Sequence, residues 1–245
     1  MRKVAVWLAV FLLYSGICAA QQKPVVQVAF LQFAGYAELD ESGVPVGRGV
    51  TLTNKLLSEA GYRAELRILP AARIWLGLET GEVHVWPGML NKPGLEEHTL
   101  QTERNLGLVG INLYYLPGTP RPRWPQDIHD KSLIMITNFT YTTALREVLN
   151  DPERRLRVNK SNSHIGALRM LLRGRGDYLL DYRTQVSSAM QALGLETLPS
   201  IEVVEMPMRF VLSRHSGFAE QLREDLDAAF DRLQAQGVEL DVTRQ

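Results

Sequence analysis

The chain is predicted to be a two-lobed α/β protein, and three observations lead there. Strand-like and helix-like segments alternate almost throughout, the pattern of a largely parallel sheet flanked by helices. The stretch "LPGTPRPRWPQDI", with Pro117, Pro120, Pro122 and Pro125, interrupts that alternation, and a similar unit follows it. Beyond a second break at Pro207 the chain closes with an amphipathic helix, which suits a return to the first unit.

Taken in order, Val25 to Leu31 reads as a strand. A helix over about 50–60 carries Leu52, Leu56 and Leu57 on one face and stops at Gly61. Residues 64–69 form a second strand, 71–80 a helix ending at Gly81, 83–86 a short third strand, and Gly107 to Leu116 a long apolar strand leaving the unit. The prolines that follow can continue neither a helix nor a central strand. The second unit has strands at 132–136, 156–158 and 178–182. Its helices are expected over 142–149, over 165–173 with Ile165, Leu168, Leu171 and Leu172 inward, and over 184–193 up to Gly194. Between the last two helices lies "GRGDYLLDY", which contains the tripeptide Arg175-Gly176-Asp177 of some adhesion proteins. The local reading is a helix stop at Gly174, a second flexible point at Gly176, and a strand. Short strands at 203–206 and 210–212 flank Pro207 as a second crossing, and Phe218, Leu222, Leu226, Phe230 and Leu233 mark the last helix. Lobe one is thus expected over 24–116 plus 213–245 and lobe two over 121–206, joined at about 117–120 and 207–212.

The N-terminus carries Arg2 and Lys3, an apolar run from Val4 to Leu13 and small residues before Gln21, which is the pattern of a secretory signal peptide cut near Ala20. The processed chain is expected to be exported and soluble. Without residues 1–20 the chain loses its single cysteine and two of its 27 basic residues, leaving 25 against 27 acidic ones. Such near-neutrality lacks the clustered basic excess of a nucleic-acid binder. Thiol and disulfide chemistry are excluded from the processed chain.

The run "DESGVPVGRGVTLTNKLLSEAGYRAELRILPAARIWLGLETGEVHVWPGM", with Asp40, Gly43, Gly47, Gly49, Gly61, Pro70, Arg73 and Gly81, resembles the first lobe of type II periplasmic solute-binding proteins, specifically extracellular solute-binding family 3. The second-lobe run "ALRMLLRGRGDYLLDY" is similar to the family's L-x-x-G-x-x-D-x-x-x-x-D segment. The resemblance spans nearly the whole chain after residue 20. It implies two lobes that close on a small polar solute, often an amino acid, with no cofactor, no metal and no catalysis. The implied partners are an ABC-type inner-membrane permease, or a membrane sensor if closure reports instead of delivering, and the protein is expected to be a monomer.

A zwitterion needs a cation, an anion and helix N-termini around it, with aromatic walls to exclude water. Asp181 matches the family position that often holds an amine; the alternative is a cap for the next helix. Arg73 opens a helix, where its charge opposes the dipole, so it is either a ligand contact or a surface ion pair. Tyr36 and Trp86 are either cleft walls or core. Asn138, Thr140 and Tyr141 either cradle an anion before their helix or simply cap it. The chain also departs from the family. Leu95, Glu96 and Glu97 stand about where amino-acid binders carry a carboxylate-gripping arginine, so Arg73 or Lys92 substitutes or the ligand is not an α-amino acid. His84 replaces an expected Asp, a local structural change, and His98, His129 and His164 share no metal-ligand spacing with it. A dehydratase on this fold, recruiting Glu38 or Asp181 as an acid, is the minor alternative; no serine elbow or phosphate loop is present.

Overall fold

The computed structural model describes residues 23–89, 94–137, 139 and 141–243; the expected signal peptide, Lys92, Asn138 and Thr140 lie outside them. The first half runs β1 (Val26–Phe30), β2 (Glu38–Leu39), β3 (Pro45–Val46), α1 (Arg48–Glu59), β4 (Ala64–Ile68), α2 (Ala71–Thr80), β5 (Val85–Gly88) and β6 (Thr99–Gln101). From it β7 (Gly107–Tyr114) leads to the second half, with β8 (Ser132–Ile136), α3 (Thr143–Asn150), β9 (Arg157–Ser161), α4 (His164–Leu172), β10 (Tyr178–Tyr182) and α5 (Arg183–Ala192). The chain returns along β11 (Ser200–Ser213) and ends in α6 (Ala219–Ala235).

The strands order as β4-β1-β5-β11-β7-β10-β8-β9 with β6 beside β11. β1 is parallel to β4 and β5, and β8 is parallel to β9 and β10. Between those two parallel sets run β7 and β11, antiparallel to each other from Met208↔Gly107 to Ser200↔Tyr114. β11 then pairs with β5 from Arg209 onward, so a single strand is bonded into both halves. The two strands expected around Pro207 are therefore one. Proline is tolerated there because Pro207 lies opposite Leu108 of β7 and precedes the pairing with β5, so no second neighbour needs the missing N–H.

Both faces of β1 are covered, which is why it reads as a continuous apolar run. Val26, Val28 and Phe30 pack against Leu56 and Leu57 of α1 and Leu222, Leu226 and Phe230 of α6, while Ala29 faces Ile74 and Leu78 of α2. His84 is structural: its Nδ1 accepts the Gln27 N–H at 3.1 Å, its ring meets Phe218 edge-on, and burial lowers its pKa. In the second half α4 buries Ala167, Leu168 and Leu171, whereas Ile165 and Leu172, expected inward, are 37% and 40% exposed. At about 100° per residue both fall on the flank beyond the buried stripe. The Arg-Gly-Asp tripeptide is a helix-to-strand joint. Gly174 adopts φ 64°, and Asp177 accepts hydrogen bonds from the Ser132 N–H and Oγ–H, both at 2.7 Å. Gly176 supplies room instead of flexibility, since a Cβ there would sit 2.6 Å from Ile134.

Candidate functional site

A cleft of about 940 Å³ opens where the parallel strands end and helices begin, the place where open α/β sheets bind ligands. Val109 of β7 and Met208 of β11 line it from the antiparallel ribbon, and Val242 and Thr243 add the C-terminal segment. The first half contributes Leu31 to Phe33 after β1, Tyr36, Arg48 at the start of α1, Ile68 to Ala72 at the β4–α2 junction, Trp75, and Trp86 to Met89. The second half contributes Thr137 and Phe139 after β8, and Tyr182, Thr184 and Gln185 where β10 meets α5.

The aromatic walls are held by close packing. Trp86 is 4% exposed and meets Trp75 edge-on with ring centroids 4.5 Å apart. A Cβ at Gly88 would collide with the Trp86 ring and one at Gly49 with the Tyr36 ring, so both glycines are what lets those rings lie against backbone. The Tyr36 hydroxyl donates to the Pro87 carbonyl at 3.3 Å, and burial pushes its pKa up against the opposing pull of Arg48. Phe33 of the first half contacts both Phe139 and Tyr182 of the second, at 5.7 and 6.3 Å between centroids, while Phe139 and Tyr182 lie 5.4 Å apart. These three rings bridge the cleft.

Among the described lining residues Arg48 is the only charged side chain. Its Nε is buried without a hydrogen-bond partner, and no described acid pairs with it. Across the cleft lies Gln185, 7% exposed, whose side chain makes no hydrogen bond among the described residues. The α2 N-terminus has no side-chain cap, and Ala71 and Ala72 line the cleft there. Together these groups give the cleft a positive potential and an unmet demand for acceptors.

The structure brings Tyr36 and Trp86 into the wall. Arg73 is exposed and stands outside the lining. Tyr141, 6% exposed, packs in the second-half core, and its neighbour Thr142 is the residue that caps α3, accepting the Leu145 N–H at 3.2 Å. Asp181 is 1% exposed and absent from the lining. One carboxylate oxygen lies 2.7 Å from His164 Nδ1 and the other accepts the Tyr182 N–H at 2.7 Å. Burial raises the Asp181 pKa, with His164 opposing the rise. Tyr114, Tyr141 and Tyr182 all have raised hydroxyl pKa values, from burial first and the Asp181 charge second.

Sequence reasoning passed over Arg48, Trp75, Phe139, Tyr182 and Gln185. Arg48 carried the same signal as Arg73, a cation opening a helix against its dipole. Tyr182 was one residue from the position singled out, and successive strand residues face opposite ways, so choosing Asp181 selected the other face of β10.

No protein-family model matches the sequence, and no curated protein does. Many solved structures share the fold. A histidine kinase sensor domain with similarity to periplasmic binding proteins superposes with a TM-score of 0.70 at 16% identity, covering 88% of this chain and 92% of its own. A putative L-cystine ABC transporter protein from Listeria monocytogenes gives 0.68 at 17%, covering 89% and 93%. An ancestral amino acid-binding protein, a precursor of cyclohexadienyl dehydratase, gives 0.67 at 15%, covering 89% and 92%. At such identities the likeness is one of fold, and that fold is the two-lobed α/β architecture of type II periplasmic binding proteins.

Proposed function

We propose that this protein is an exported, monomeric solute-binding protein that captures a small solute reversibly between its two halves and delivers it to an ABC-type permease. The observation that carries the reading is the cleft itself. Both halves wall it, the strands that join them line it, and it holds a guanidinium whose buried Nε has no hydrogen-bond partner. Such a site suits capture: apolar walls supply area, and a few polar groups fix orientation. No step of covalent chemistry is needed.

A second reading is sensing, in which the liganded form is read by a membrane receptor. It is favoured by the sensor domain whose fold covers 88% of this chain. Both readings require differential affinity for open and closed forms.

The test is a thermal-shift screen of the purified, exported protein against amino acids, polyamines, organic acids and small peptides. A ligand at about 100 times its Kd stabilises by roughly 2.7 kcal/mol, on the order of 5–10 °C for a chain of this size. No shift across the panel would overturn capture. With a ligand in hand, loss of its uptake on gene deletion marks import, whereas intact uptake with loss of the transcriptional response marks sensing.

A further inference from the structure

The charges of the cleft and of its surroundings select among solute classes. Resting on the reading of this cleft as a capture site, we propose that the solute is a small carboxylic acid with an aromatic or branched apolar body and no charged amine. Arg48 grips the carboxylate and Gln185 meets a neutral polar group on the body.

Four observations carry this. First, Arg48 is a fixed cation in the wall with no acid beside it and a buried Nε lacking an acceptor. A guanidinium presents parallel N–H donors that match a carboxylate, and a bound carboxylate supplies both the missing charge and the missing acceptors. Second, no described lining residue is acidic, and the internal residues outside the description, 90–93, 138 and 140, include no Asp or Glu. An ammonium group in this cleft would lose its water and gain no counter-charge. Third, the buried acid nearest in sequence, Asp181, lies off the lining with both oxygens engaged, one by His164 and one by the Tyr182 N–H. Glu38, on strand β2, also lies off the lining, and its Oε1 accepts the Gly35 N–H at 3.1 Å. Fourth, the remaining wall is dominated by rings, with Trp75 and Trp86 on one side and Phe33, Phe139 and Tyr182 closing the other. Such faces bind planar or branched hydrocarbon better than a short polar chain. The unbonded Gln185 amide has a donor and an acceptor but no charge, so it recognises a hydroxyl, carbonyl or amide on the solute.

The test uses one hydrocarbon body with different heads. Tryptophan fluorescence, which reports on Trp75 and Trp86 in the wall together with Trp124 outside it, and calorimetry are used to titrate the purified protein with phenylacetate, phenylacetamide, L-phenylalanine and phenethylamine, and with indole-3-acetate and 4-methylpentanoate as alternative bodies. The expected result is that the tightest carboxylate exceeds phenylacetamide, phenylalanine and phenethylamine by tenfold or more. Arg48→Gln is expected to erase that preference by weakening the carboxylate about ten- to hundredfold while leaving phenylacetamide within twofold. If the glutamine variant does not fold, Arg48→Lys keeps the charge but loses the paired donors and is expected to weaken the carboxylate by a smaller factor. Tighter binding of phenylalanine or phenethylamine than of every carboxylate would overturn the proposal and leave capture standing, as would an unchanged carboxylate affinity in both Arg48 variants. If neither these probes nor the wider panel bind, the class and the capture reading fall together.

Discussion

At the start of α1, Arg48 lines the cleft with no ion pair among the described residues, whereas at the end of β10, Asp181 stands off the lining and is bonded to His164. The two halves use one local design, a strand end followed by a helix start, for opposite electrostatic ends. In the first half the charge has no ion-pair partner among the described residues and faces the cleft. In the second the charge is consumed inside the protein, and the described residues that face the cleft are rings, hydroxyls and an amide. What separates a recognition group from a structural one is therefore not its place in the topology but whether its hydrogen bonds are already made.

That contrast can be broken or sharpened by stability measurements on the ligand-free protein. The largest effect is expected for the walls. Trp86→Ala removes a ring at 4% exposure that packs against Trp75 and should cost about 3–5 kcal/mol in urea denaturation. Phe139→Ala, on a half-buried loop ring, should cost about 1–2 kcal/mol. Equal losses would mean that both walls are parts of the core.

The charged residues come next. Asp181→Ala strands the Tyr182 N–H and the His164 Nδ1 and is expected to cost about 2 kcal/mol. Arg48→Ala removes a cation that opposes the α1 dipole and has an unsatisfied Nε, so less than about 1 kcal/mol should be lost. A larger loss at Arg48 than at Asp181 would reverse the comparison.

The smallest effect is in pH. Burial holds the Asp181 carboxyl above its ordinary value, so the folded protein binds that proton more tightly than the unfolded chain does. Its contribution is complete below the unfolded value of about 3.9 and is lost as pH rises through the folded one. The stability advantage of the natural chain over Asp181→Asn should therefore shrink as pH rises above about 4. Asp127 runs the other way. The guanidinium and the backbone N–H of Arg123 lower it to about 2, so its contribution is present above its ordinary value and is lost as pH falls toward about 2. An advantage at Asp181 that grew with pH would show the carboxylate form to be the stabilised one.

Most of the scaffold was legible because it rests on apolar periodicity and glycine stops, which are local signals. The strands at 132–136 and 178–182 fall on β8 and β10, and α2 ends at Gly81, whose φ is 85°. The two-residue strands of the β2–β3 hairpin and the three-residue β6 are too short to carry a period and were not read. The site was less legible because membership in a wall is a matter of which face a residue presents. Trp86, expected from its place at a strand end, and Tyr36, implied by the family resemblance, both line the cleft. Asp181 was singled out by a charge that its His164 bond absorbs, a contact spanning 17 residues that no local pattern announces. Arg48 was hidden beside a glycine-rich turn that drew attention to the backbone.

The strand that belongs to both halves has a mechanical consequence. Because β11 is hydrogen-bonded to β7 on one side of Met208 and to β5 on the other, the halves are joined by a ribbon with torsional stiffness instead of by slack tethers. Rotating one half against the other winds that ribbon like a torsion bar, and a torsion bar has a rest angle. The resting angle between the halves is then a property of strand twist and register, and changing ribbon residues other than Val109 and Met208 retunes it without altering the cleft wall.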